Sequence, residues 1–132
     1  MITVVARWED SQMPAELEWQ MWRQLKCFDI MRFIFTPVMP EMSGIDIEQY
    51  DNMTTALLKC DANTPRAFLE PTGYNSLHDL PQGDITLILG NTNHSNMEHA
   101  RVDETYKIMC PSPGHLYPTN AAAVALAFWH GQ

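Results

Sequence analysis

Five short runs of β-branched and apolar residues, each closed by a polar or proline-containing turn, constrain this chain more than any other feature. ITVVAR opens it, at Ile2 to Arg7. MRFIFTPV is closed by Pro37, RAFLE by PTG, ITLILG by NTNHSN, and TYKIMC by Pro111. Runs of this kind read as β-strands. Between them the period changes. After Pro14, which suits a first helical turn, Leu17, Met21, Leu25 and Phe28 recur at helical spacing. A second helix is expected in the later part of IDIEQYDNMTTALLKC, a short one over NMEHARVD, and a last one over TNAAAVALAFWH. MPEMSG and SLHDLPQG read as connections. Strands alternating with helices predict an α/β fold, a mainly parallel sheet with helices on both faces.

With 132 residues and no repeat, linker or low-complexity tract, residues 1–132 read as one domain. At 45% apolar and 18% charged, the composition is that of a globular protein. Net charge is −8, which disfavours a general nucleic-acid binder but leaves room for a local basic patch. Cys27, Cys60 and Cys110 are odd in number and contain no CxxC pair, so neither a disulfide framework nor a zinc site is expected. A reduced, cytoplasmic setting fits, with no signal peptide and no membrane span. Asn52-Met-Thr54 and Asn93-His-Ser95 match the glycosylation pattern by chance on this reading.

In parallel sheets, ligands sit beyond the carboxyl ends of the strands. Three polar turns follow predicted strand ends there: EPTG, GNTNHSN and PSPGHLYPTN. Gly90 and Gly114 permit close backbone approach to a ligand. Thr119 or Asn120 is placed to cap the last helix. His94 and His99 are five apart, a spacing that does not share one helix face, so no metal site is expected.

Two family resemblances can be weighed. TPVMPEMSGID resembles the loop after the phosphorylated aspartate of response-regulator receivers, but Thr36 stands where the aspartate belongs. LILGNTNHSN, CPSPGHLYPTN and AAAVALAFWH, read together, resemble the SPOUT superfamily of RNA methyltransferases, most of all its SpoU type, which methylates ribose 2′-hydroxyls in tRNA or rRNA. Leu89, Gly90 and Asn91 match one family motif. Pro111, Gly114 and Asn120 match a second, with Cys110 in its isoleucine place. Aligning CFDI with the family's phenylalanine-glycine pair sets Arg23 on its arginine. The likeness spans nearly the whole chain and keeps the order of elements.

That resemblance implies a C-terminal trefoil knot, S-adenosyl-L-methionine held in it, an RNA substrate and a homodimer. It implies catalytic roles for Arg23 and Asn120, and a cofactor site framed by Glu70, Leu89, Gly90, Asn91, Cys110, Pro111, Gly114 and Pro118. Trp19, Trp22 and Trp129 look exposed and would suit a dimer surface, with core burial the alternative. The chain departs from the family at Thr92 (glutamate there), Pro118 (serine) and Leu17 (asparagine). An alternative is therefore a catalytically impaired SPOUT-fold binding or regulatory module, and a receiver- or flavodoxin-like signalling domain is a third.

Overall fold

A computed structural model describes residues 1–11, 13–42, 46–91, 94–108 and 116–131. Six strands form one all-parallel sheet: β1 (Ile2–Arg7), β2 (Ile30–Thr36), β3 (Glu48–Gln49), β4 (Arg66–Glu70), β5 (Ile85–Leu89) and β6 (Thr105–Lys107). Their spatial order is β3-β2-β1-β5-β4-β6. Among the described residues three α-helices accompany them: α1 (Ala15–Gln24), α2 (Met53–Leu58) and α3 (Pro118–His130). The α/β expectation holds, and helices cover both faces. No helix among the described residues is long and apolar enough to cross a membrane.

The two-residue alternation of the strands sorts side chains into two cores. Val4, Ala6, Phe33, Phe35, Leu69, Leu87 and Leu89 pack with Trp19 and Trp22 of α1 and Ala121, Ala122, Ala125 and Leu126 of α3. Val5, Ile34, Phe68 and Ile88 point the other way, onto Met53 and Ala56 of α2. Central strands buried on both faces read as continuous apolar runs, which is why ITVVA and ITLIL carry so few polar residues.

Four expectations need correction. Trp19 and Trp22 are fully buried, at 2% and 0% exposure, so they give no support to a dimer surface. They edge onto Phe33 and Phe35 instead, and Trp129 is half-buried with its indole donating to the Pro81 carbonyl. The last helix starts one residue early. Pro118 takes its first position, where a missing N–H costs nothing, and Tyr117 precedes it with no side-chain cap, so neither Thr119 nor Asn120 caps it. NMEHARVD forms two short 3₁₀ turns, Met97–His99 and Val102–Glu104, rather than one helix. Strand β3 was not expected, being two polar residues long.

Glu18 lies inside the α1 stripe that carries Trp19 and Trp22, and is 1% exposed. Burial pushes its pKa up, while the side chains of Ser11 and Trp22 pull the other way. Among the described residues its Oε2 has no hydrogen bond of normal geometry. A carboxyl that prefers its proton in the folded state costs stability as pH rises from the ordinary carboxylate value through the raised one, and the cost persists above it. Glu18→Met should therefore stabilise the fold at pH 7 by about 1–3 kcal/mol, the scale of a buried unsatisfied polar group. In urea unfolding, its advantage over the native chain should grow between pH 4 and pH 7.

Candidate functional site

The register places the site. Ala6, Leu89 and Leu69 stand side by side on β1, β5 and β4. One residue further, the same row holds Arg7, Gly90 and Glu70, with Thr36 of β2 beside Arg7. All four occupy the α2 face of the pleat, two residues beyond Val5, Ile88, Phe68 and Ile34. This row is the carboxyl edge of the sheet. The connection after β1 leads to α1 on one face, whereas the connection after β5 brings Ala100 against the α2 core on the other. Adjacent strands whose connections part in this way open a crevice, the usual ligand position in such sheets.

A polar loop closes over the row. Gly90 has no side chain, and a Cβ there would collide with the His94 carbonyl oxygen. The segment Ser95–Asn96 therefore comes down between Arg7 and Glu70. Arg7 donates to the Ser95 carbonyl (3.2 Å) and to Asn96 Oδ1 (3.3 Å), and pairs with Glu9. The Glu70 carboxylate accepts from the Asn96 amide (3.1 Å) and from the Ser95 hydroxyl (3.2 Å). Asn96 is wholly buried, and its Nδ2 has no partner among the described residues.

Asn91 latches this loop to the exit of β1. Its Nδ2 donates to the carbonyls of Glu9 (2.8 Å) and Arg7 (3.4 Å). Its backbone exchanges hydrogen bonds with that of His94, and its Oδ1 also accepts from the His94 amide. His94 Nε2 lies 2.7 Å from Asp10, which adopts a left-handed conformation (φ 55°) tolerated by aspartate.

Of the expected site residues, Glu70, Leu89, Gly90 and Asn91 come together at this edge. Leu89 is buried in the larger core. Pro118 is buried at the start of α3, with Thr119 beside it, whose buried hydroxyl has no partner among the described residues. Asn120 is exposed in the same turn. Cys110, Pro111, Gly114 and the family-divergent Thr92 lie outside the described residues, as does the segment on which the expected knot depends. Arg23 is not in this group. Helix α1 runs back from the carboxyl edge to feed β2, and Arg23 sits exposed in its last turn, at the amino end of the strands.

Arg23 differs from most cations of the chain. Arg7, Lys26, Arg32, Arg66 and Arg101 are ion-paired and Lys59 lies over the Tyr50 ring. Arg23 and Lys107 make no ion pair among the described residues. A groove at the amino end, lined by Lys26, Arg32, Asp46 and Glu48, has its charges already matched, with Arg32 gripping Glu48 by two bonds of 2.7 Å. That grip holds the Glu48 carboxyl below its usual range. Among the described residues, no three His, Cys, Asp or Glu side chains cluster as metal ligands would.

Sequence reasoning singled out the loop that contains Ser95 and Asn96 but not the contacts those two residues make, and it missed Arg7. A single arginine at a strand end belongs to no motif, and its partners are almost ninety positions away. The Gly90 geometry yields a direct test: Gly90→Ala should lower stability in urea unfolding by about 1–3 kcal/mol, as other overpacked sites do. An unchanged midpoint would show that the loop does not rest on this position.

No protein-family model matches the sequence, and no curated protein matches it. Solved structures do. A candidate RNA methyltransferase from Bacillus anthracis aligns with a TM-score of 0.70 at 15% identity, over 99% of this chain and 93% of that one. A structure describing 2′-hydroxyl methylation of C/U34 on tRNA aligns with a TM-score of 0.72 at 16% identity, over 100% of this chain and 90% of that one. A candidate RNA methyltransferase of the TrmH family from Porphyromonas gingivalis aligns with a TM-score of 0.66 at 14% identity, over 97% of this chain and 58% of that one. The six-stranded parallel architecture is thus the SPOUT-like fold of these methyltransferases.

Proposed function

We propose that this protein binds S-adenosyl-L-methionine at the carboxyl edge of its sheet and methylates a ribose 2′-hydroxyl of tRNA or rRNA. The observation that carries the reading is a coincidence of place. Leu89, Gly90 and Asn91, which match a SpoU motif in the sequence, stand at the crevice of a fold shared along its whole length with RNA methyltransferases.

The residues present fit such a ligand. Beside the paired charges of Arg7 and Glu70 the edge offers small polar groups at Gly90, Asn91 and Ser95, and two buried polar atoms there and at the start of α3, Asn96 Nδ2 and Thr119 Oγ1, have no partner among the described residues. Pro118 fixes the first turn of α3, and Cys110, Pro111 and Gly114 would complete the frame. The donor supplies a methyl group activated on a sulfonium. The chain's part is to hold the acceptor in line and to stabilise charge as the hydroxyl loses its proton. Asn120, exposed at the start of α3, is placed to hydrogen-bond a hydroxyl. Arg23 would face ribose and phosphate.

Because α1 carries Arg23 away from the carboxyl edge of its own chain, this assignment goes with the homodimer: a second copy presents Arg23 to the site. The acidic surface leaves Arg23 and Lys107 as cations open to a phosphate. The trefoil knot and a cytoplasmic setting belong to the same reading.

One observation favours a second reading. Within one chain Arg23 and Gly90 lie at opposite ends of the sheet, and Thr92 replaces the family glutamate. A binding module that keeps the donor site without turnover would have these features. Calorimetric titration separates the cases from a protein with no site: saturable binding of S-adenosyl-L-methionine and its homocysteine product is expected, and no heat at millimolar ligand would refute both readings. Transfer of labelled methyl to tRNA then separates enzyme from module. In an active protein, Arg23→Ala should cut transfer by about 10²-fold or more, the usual weight of a cation that stabilises charge developing on the attacking oxygen while the proton passes to solvent. Undiminished transfer would remove Arg23 from the mechanism.

A further inference from the structure

We infer that Arg7 and Glu70 act as a two-sided clamp that sets the shape of the ligand loop after β5, and that they are positioning residues for that loop rather than ligands themselves. The inference rests on the proposed donor site only for its purpose, since the clamp itself is a matter of geometry.

Three observations carry it. First, Arg7 and Glu70 flank Gly90 in one row of the sheet, on the strands either side of β5. Their backbones are fixed by parallel ladders, so their side chains approach from fixed directions. Second, both side chains reach the same two residues. Arg7 binds the Ser95 carbonyl and Asn96 Oδ1; Glu70 binds the Asn96 amide and the Ser95 hydroxyl. Donors meet acceptors on one side, and an acceptor meets donors on the other. Third, the gap between them is filled by backbone, because a side chain at Gly90 would strike the His94 carbonyl. Both clamp residues are shielded, with Arg7 14% exposed at its side chain and Glu70 buried. Charge-assisted bonds at shielded sites are the stronger kind.

The chemistry excludes a simpler role. An arginine recruited for phosphate would face solvent with its guanidinium open, but Arg7 is occupied by Glu9 and by the loop. Glu70 is buried and spends Oε1 on two bonds, from the Ser95 hydroxyl and the Asn96 amide, so its carboxylate is oriented by the loop.

Amide hydrogen exchange on the full chain, with donor titration beside it, tests the clamp. Arg7→Met and Glu70→Leu should each speed exchange of the Asn96 amide by about tenfold or more, leaving β1 and β5 protected, because local opening is independent of global unfolding. The double variant should lose little beyond the worse single one, since either change releases the same segment and coupled neighbours are non-additive. Glu70→Gln, which keeps an accepting oxygen, should recover most of the protection that Glu70→Leu loses. Each single variant should weaken S-adenosyl-L-methionine by about the same factor as its loop opens, the population penalty of a site that must first close. Unchanged Asn96 exchange, or losses that simply add, would overturn the clamp. If the native chain binds no donor, the functional reading falls, and exchange alone decides whether the clamp exists.

Discussion

A missing side chain at Gly90 is the constraint on which the carboxyl edge depends. Parallel strands deliver Arg7 and Glu70 to either side of this position, and the chain folds back over it because nothing projects there. Asn91 then ties the returning loop to β1 through the Glu9 and Arg7 carbonyls. Three segments remote in sequence, at residues 7–10, at 70, and at 90–91 with 94–96, become one polar cluster. The sheet supplies rigidity, and the loop supplies chemical groups.

The rest of the fold serves that edge. β5 is central and buried on both faces, so its end is held firmly. The α1 and α3 helices close one face with tryptophans and alanines, and α2 closes the other with Met53 and Ala56. One costly feature stands inside this packing, the Glu18 carboxyl, whose pKa burial raises. It marks a place where the core is less stable than its apolar content suggests.

Much of the fold was legible because burial leaves a periodic trace. ITVVAR and RAFLE match their strands to the residue, since apolar and β-branched runs bounded by turns have few other solutions. Helix α1 shows the limit. Two stripes compete in AELEWQMWRQ, and the one holding a glutamate is the buried one, so Trp19 and Trp22 looked exposed. Strand β3 left no trace because two polar residues carry no period. At the site, Glu70, Leu89, Gly90 and Asn91 were legible through motif and strand position. Arg7 was not, nor were the contacts of Ser95 and Asn96 within the expected loop, because these depend on register and on approach across the sheet. Arg23 was legible as a motif match, whereas its distance from Gly90 follows only from the direction of α1.

The central claim is that the carboxyl edge around Gly90 holds a methyl donor. Backbone amide shifts in a nitrogen-15 spectrum, followed while S-adenosyl-L-homocysteine is added, test it most directly. The account predicts shifts concentrated at residues 70–73, 90–96 and the start of α3, with Lys26, Asp46 and Glu48 at the opposite edge unmoved. Shifts confined to that opposite edge, or none at saturating ligand, would contradict it.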